Sequence, residues 1–310
     1  MAPFRNILVP LDGSELADKA LEPANQVAMA MAQYGNEPRP VRLTLLRVLS
    51  PMALLAADPY LYDEMMRMSG DEAQAYLNLV ASTMTASDVV IETKIVNGSS
   101  AEAIVQYAEG AGIDLIVMSS HGRTGSRRWV YGSVAEKVMH HAPCATAIIR
   151  AHVEVSMFQN RKILVPLDGS ELAEHALGPA LALARAVNSN VYLLRVVATG
   201  EPMPESMRPA GEQVEAAFAA ADLEEKGAAE AYLQSVFSKF ENTRLFFDVQ
   251  TTSGDVADTI VTYADDNHID LIVISSHGRS GLGRWLHGSV AEKVLRGATC
   301  ATLIVREQRQ

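Results

Sequence analysis

The sequence predicts an α/β fold: two tandem doubly wound parallel sheets of five strands each. Three observations predict it. The chain repeats itself at a shift of 156 residues. Short apolar runs that end at turns alternate with polar-apolar helical stretches, the pattern of a parallel sheet covered by helices on both faces. A length of 310 residues leaves room for two cores of ordinary domain size.

The repeat is direct. Asn6 to Ala17 falls on Lys162 to Ala173, and both read Ile-Leu-Val-Pro-Leu-Asp-Gly-Ser-Glu-Leu-Ala after their first residue. Asp114 to Arg150 falls on Asp270 to Arg306, with 25 of 37 positions identical. The period far exceeds the 20–50 residues of solenoid repeats, so each copy is a whole domain. Copy one is expected over residues 1–151, a polar join over 152–160, and copy two over 161–310.

Taken in order, Ile7–Pro10 is a buried strand ending at a turn. Ser14 and Glu15 open a helix with a capping hydroxyl and a first-turn acid. Val41–Val48 and Val191–Val197 are second strands. Long helices follow, near Gly70–Ala86 and Gly211–Phe240. Met52, Met65, Met66 and Met68 precede the first of these and read as an apolar flap. Val89–Val96 is a third strand. Ser99 and Glu102 have capping-box spacing and start the next helix. Asp114–Met118 is a fourth strand, a Gly- and Arg-rich loop leads to a helix at Ser133, and Cys144–Ile149 closes the copy.

Composition narrows the function. The net charge is −11, which argues against nucleic acid or an anionic membrane as partner. Two cysteines make no disulfide framework; Cys144 and Cys300 open apolar strands and read as buried thiols. The first residues lack a signal-peptide pattern, and no stretch reaches the ~18 apolar residues of a spanning helix, so a cytoplasmic protein is expected.

The loop after the fourth strand carries the chemistry. Copy one reads Ser119-Ser-His121-Gly122-Arg123-Thr-Gly-Ser-Arg127-Arg-Trp-Val-Tyr-Gly132-Ser133-Val134. Copy two reads Ser275-Ser-His277-Gly278-Arg279-Ser-Gly-Leu-Gly-Arg-Trp-Leu-His-Gly288-Ser289-Val290. Glycine lets backbone approach a ligand, and a helix N-terminus favours an anion. Arg123, Arg127 and Arg128 add positive charge, so the segment reads as a phosphate cradle. Ser133–Glu136 and Ser289–Glu292 also have capping-box spacing, which needs no ligand. The nine residues kept between Gly122 and Gly132, and between Gly278 and Gly288, favour the cradle. His121 and His277 read equally as packing residues. His140-His141 meets Arg296-Gly297 in copy two, so no metal site is expected.

The order Pro-x-Asp-Gly-Ser, Asp-Leu-Ile-Val, Ser-His-Gly-Arg and Gly-Ser-Val-Ala-Glu-Lys-Val resembles the universal stress protein family over almost all of both halves. ATP-binding members carry Gly-x2-Gly-x9-Gly followed by Ser or Thr. Here the last two glycines and the serine match, and Ser119 and Ser275 stand at the first glycine. The resemblance implies that Pro10, Asp12, Val48, Ser119, Gly122, Gly132, Ser133 and Val134 line an ATP site. Pro166, Asp168, Val196, Ser275, Gly278, Gly288, Ser289 and Val290 do the same in copy two. Asp12 also fits a plain turn and Val48 a plain core strand. The resemblance further implies pairing of the two last strands into an intramolecular pseudo-dimer, with a further homodimer an open option. ATP, with Mg²⁺ as an option, is the expected cofactor, and a stress-response regulator or sensor with an unnamed protein partner the expected role. A slow ATPase and a nucleotide-free binding module are the alternatives.

Overall fold

The computed structural model describes residues 4–33, 40–50, 59–84, 88–120, 132–150, 158–199, 212–240, 244–276 and 290–306. Copy one holds β1 (Asn6–Leu11), α1 (Glu15–Asp18), α2 (Leu21–Gln33), β2 (Val41–Leu49), α3 (Pro59–Thr83), β3 (Val89–Asn97), α4 (Ser100–Gly110), β4 (Leu115–Ser119), α5 (Ser133–His141) and β5 (Ala145–Ile149). Copy two repeats the order as β6 (Lys162–Pro166), α6 (Glu171–Glu174), α7 (Leu177–Val187), β7 (Asn190–Ala198), α8 (Glu212–Ser238), β8 (Leu245–Thr252), α9 (Val256–Asp266), β9 (Leu271–Ser275), α10 (Val290–Gly297) and β10 (Ala301–Val305).

The strands form one sheet in the order β3-β2-β1-β4-β5-β10-β9-β6-β7-β8. Within each copy every pairing is parallel. The apolar runs explain this. Ile7, Leu8 and Val9 are all fully buried, because helices cover both faces. Alternate side chains serve different layers. Ile7, Val9, Leu43 and Leu45 join Val27, Met31 and Leu77 of α2 and α3 on one face. Leu8, Leu46 and Ile116 join Ile104 and Val138 of α4 and α5 on the other. In each copy the order reverses beside the first strand, at β1–β4 and β6–β9. Open α/β sheets leave a crevice at that point.

The two copies meet through their last strands. β5 and β10 pair antiparallel, with Leu303 opposite Ala147 and the flanking pairs Thr302–Ile148 and Ile304–Thr146. All ten residues of these strands are buried, and both core layers run unbroken across the seam. The expected pseudo-dimer is therefore a single ten-stranded sheet.

A carboxyl group, half-buried in copy one and buried in copy two, ties each first strand to its fourth. Asp114, just ahead of β4, accepts from the backbone amides of Arg5 and Asn6 at 2.7 and 3.0 Å. Asp270 accepts from those of Asn160 and Lys162, both at 3.0 Å.

Several local expectations change. The first helix is broken into α1 and α2, and its counterpart into α6 and α7. Pro23 and Pro179 lie in the second pieces, and a proline ring clashes with the carbonyl four residues earlier, at Lys19 and His175, where the breaks fall. α3 begins at Pro59, eleven residues before the expected Gly70. Met65, Met66 and Met68 are thus helical, while Met52 lies outside the described residues. Arg67 bridges Glu64 at 2.7 Å and Asp71 at 3.2 Å along that added stretch, the spacing that supports a polar helix. Ser99 is the N-cap of α4, but its side chain makes no cap bond.

Candidate functional site

A cleft of about 610 Å³ opens at the carboxyl ends of β1, β2 and β4. Its lining includes Pro10, Asp12, Val48, Ser119, Gly132, Ser133 and Val134, every expected copy-one site residue that the structure describes. His121, Gly122, Arg123 and Arg127 lie outside the described residues. The topology brings these seven together from three strand ends and the start of α5, although they span well over a hundred positions in sequence.

One wall is the turn after β1. Asp12 Oδ1 accepts from the Ser14 amide at 3.0 Å and from Ser14 Oγ at 2.6 Å. Ser14 Oγ in turn accepts from the Ala17 amide at 3.2 Å, capping α1. Asp12 is therefore both a turn residue and part of the cleft wall. Copy two repeats the turn: Ser170 donates to Asp168 at 2.9 and 2.6 Å, and the Ala173 amide donates to Ser170 at 3.1 Å.

The opposite wall is the start of α5. Its N-cap is Gly132, and Ser133 is the first helical residue. The Ser133–Glu136 capping box does not close, because the cap residue has no side chain to offer. The Gly132 amide donates to Ser120 O, and the Glu136 amide to Gly132 O, each at 3.0 Å. First-turn amides of a helix have no carbonyl partner inside it, and the dipole leaves that end positive. An anion in the cleft meets both.

The floor carries residues that sequence reasoning missed. Half-buried Arg47 lies beside Val48 and donates to Leu11 O at 3.2 Å. Tyr76 of α3 donates to Asp18 of α1. Burial and that partner push its phenol well above the ordinary tyrosine value. Copy two rebuilds both contacts: Arg195 donates to Leu167 O at 3.3 Å, and Tyr232 to Glu174 at 3.0 Å. Met66 and Glu72 of α3 complete the rim in copy one. A signal for the tyrosine was available, since Tyr76/Tyr232 and Asp18/Glu174 keep the 156 shift.

In copy two, Pro166 and Ser275 end β6 and β9, Asp168 follows β6, Val196 lies near the end of β7, and Val290 starts α10. His277, Gly278, Arg279, Gly288 and Ser289 lie outside the described residues. Ser119 and Ser275, where the family pattern has glycine, are buried at strand ends.

Elsewhere, a smaller cavity of about 260 Å³ by Arg150, Asp270 and Cys300 holds none of the expected site residues. Burial pushes the free thiols of Cys144 and Cys300 up to about 12, which makes them poor nucleophiles. Among the described residues no three His, Cys, Asp or Glu side chains converge as a metal site, and no helix is long and apolar enough to cross a membrane.

Residues 3–150 and 159–306 each match the family model for universal stress proteins. The chain belongs to the universal stress protein family. A universal stress protein of Mycobacterium tuberculosis is 27% identical over 300 residues, covering 92% of this chain and 93% of that one. Another, from Methanocaldococcus jannaschii, is 31% identical over 154 residues, covering 48% of this chain and 84% of its own length. The crystal structure of a universal stress protein from Archaeoglobus fulgidus superposes with a TM-score of 0.67 at 18% identity, covering 97% of this chain and 98% of that one. That likeness extends over both copies, so the tandem arrangement as well as the single-copy fold is shared.

Proposed function

We propose that this universal stress protein binds an adenine nucleotide, ATP in the first place, once in each copy, and works as a stress-response regulator or sensor. The observation that supports this reading is the copy-one cleft. It sits at the switch point of the sheet, its volume falls within the range of small-ligand sites, and the α5 N-terminus faces it.

The donor set fits such a ligand. Gly132, Ser133 and Val134 would hold phosphates with the loop residues His121, Gly122, Arg123 and Arg127. Pro10, Asp12, Val48 and Ser119 would line the ribose and adenine side. Pro166, Asp168, Val196, Ser275 and Val290, with His277, Gly278, Arg279, Gly288 and Ser289, would do the same in copy two. Bound ATP supplies a polyanion and a flat apolar base; Mg²⁺, if carried, arrives on its phosphates, and Asp12 and Glu72 are the carboxylates among the cleft-lining residues. Asp12 Oδ1 is already engaged by Ser14. That suits holding a ligand better than moving a proton, and so a regulator better than a fast enzyme.

Mass analysis of nucleotide released from freshly purified, denatured protein tests the reading, followed by titration calorimetry. Co-purified ATP and saturation at two per chain are expected. ADP alone would favour slow hydrolysis. No nucleotide and no heat at millimolar ATP would overturn the proposal and favour the nucleotide-free module.

A further inference from the structure

The helices α5 and α10 are each finished by the other copy. The last four carbonyls of a helix have no partner inside it. In α5 one of these, Met139 O, accepts from Arg306, which directly follows β10. In α10 two of them, Leu295 O and Arg296 O, accept from Arg150, which directly follows β5; the second contact is 2.9 Å. Arg150 and Arg306 are equivalent under the 156 shift, so the exchange is reciprocal. Both arginines are half-buried at the seam, and burial lowers the pKa of Arg306. A further pair, Arg296 to Glu136 at 3.4 Å, joins α10 to the first turn of α5.

From this we infer that Arg306 is a positioning residue for the copy-one cleft, and that Arg150 holds α10 in the same way in copy two. Each acts on a helix of the copy it does not belong to. α5 has only nine residues. A rod of two and a half turns held at its C-terminus fixes where its N-terminal amides stand. A cation at the C-terminus also complements the dipole whose positive end faces the cleft. The seam thus leaves the copy-one cleft incomplete within its own copy. The inference rests on the proposed nucleotide reading for its effect on affinity, but not for its effect on the helices.

The test has two arms on the full chain, using Arg306→Met and Arg150→Met. The first needs no ligand. Hydrogen exchange followed by mass spectrometry should show faster exchange in α5 for Arg306→Met and in α10 for Arg150→Met. The second arm measures ATP affinity in a Gly288→Val background, which leaves only the copy-one site. There Arg306→Met should weaken ATP about fivefold, and Arg150→Met should leave it within error. Arg306→Lys should recover part of the loss, since an ammonium keeps the charge. An effect confined to the copy that carries the substitution would overturn the inference, because a merely local role predicts that result. Crossed exchange with unchanged ATP affinity would overturn the positioning role. If the parent binds no ATP, the nucleotide reading fails, and the exchange pattern alone decides whether the helices depend on the seam.

Discussion

Replacing Asp114 by Asn should remove a pH-dependent weakness at the base of copy one. Burial pushes this carboxyl from an ordinary 3.8 up to about 6, and the backbone amides of Arg5 and Asn6 pull in the other direction without prevailing. Between about pH 4 and 6 the folded state therefore holds a proton that the unfolded chain has released. Stability from this group is fully present below about pH 4 and is lost as pH rises through 6. Two pH units correspond to roughly 3 kcal/mol. Residual solvent exposure screens part of that, so about 2 kcal/mol is the expected drop. Asn is neutral at every pH and keeps an oxygen for one of the amides. The difference in urea stability between the parent and Asp114→Asn should thus fall by that amount between pH 4 and 7.5. Carbon-detected NMR of the carboxyl should give a midpoint near 6. Parallel stability curves, or a carboxyl that titrates at its ordinary value, would show that the amides, not burial, set its charge.

Three further outcomes follow from the site and the seam. Excess ATP with Mg²⁺ should raise the melting temperature by several degrees, since ~2.7 kcal/mol at a hundred times the dissociation constant is worth roughly 2–4 °C per kcal/mol; a flat melt at millimolar ATP would count against binding. Gly132→Val and Gly288→Val should each remove one of two calorimetric sites. Gly132 has φ of −60°, so valine there blocks ligand approach without straining the backbone, and two unchanged sites would misplace the cradle. Leu303→Ala should cost about 2–5 kcal/mol, because Leu303 is buried opposite Ala147 at the seam, and a loss under 1 kcal/mol in urea denaturation would mean that the seam packs loosely.

What was legible in the sequence depended on how local its cause was. Ile7–Pro10 and Asp114–Met118 announce buried strands because burial on both faces demands unbroken apolar runs. The β5–β10 pairing was reached only through resemblance, since nothing in Ala145–Ile149 names its partner. The break after α1 was written in Pro23, but only when the clash is counted back to Lys19. The early start of α3 was hidden because Met65, Met66 and Met68 read as a flap; in the structure Tyr62, Met65 and Met66 form a half-buried stripe, and Arg67 pairs with Glu64 on the exposed side. Arg47 escaped notice for a different reason. Its counterpart Arg195 lies at a shift of 148, off the main register. The seam contacts of Arg150 and Arg306 join residues about 145 to 167 positions apart, a distance over which no pattern of neighbours speaks.

The covalent join between the copies has a consequence of its own. Two separate chains meeting through a shared strand edge would dissociate on dilution and exchange mates. Here the mate is always at hand, at an effective concentration set by a short tether. A symmetric pair made from one gene product must also place identical groups on both sides of its axis. Fusion lifts that constraint. Arg296 of α10 reaches Glu136 of α5, whereas the reciprocal position holds His140, near Glu292. Burial lowers the affinity of that imidazole for a proton, and the two glutamates oppose the shift. One side of the seam therefore carries a permanent cation and the other a group that titrates, a lopsidedness open only to halves that mutate independently.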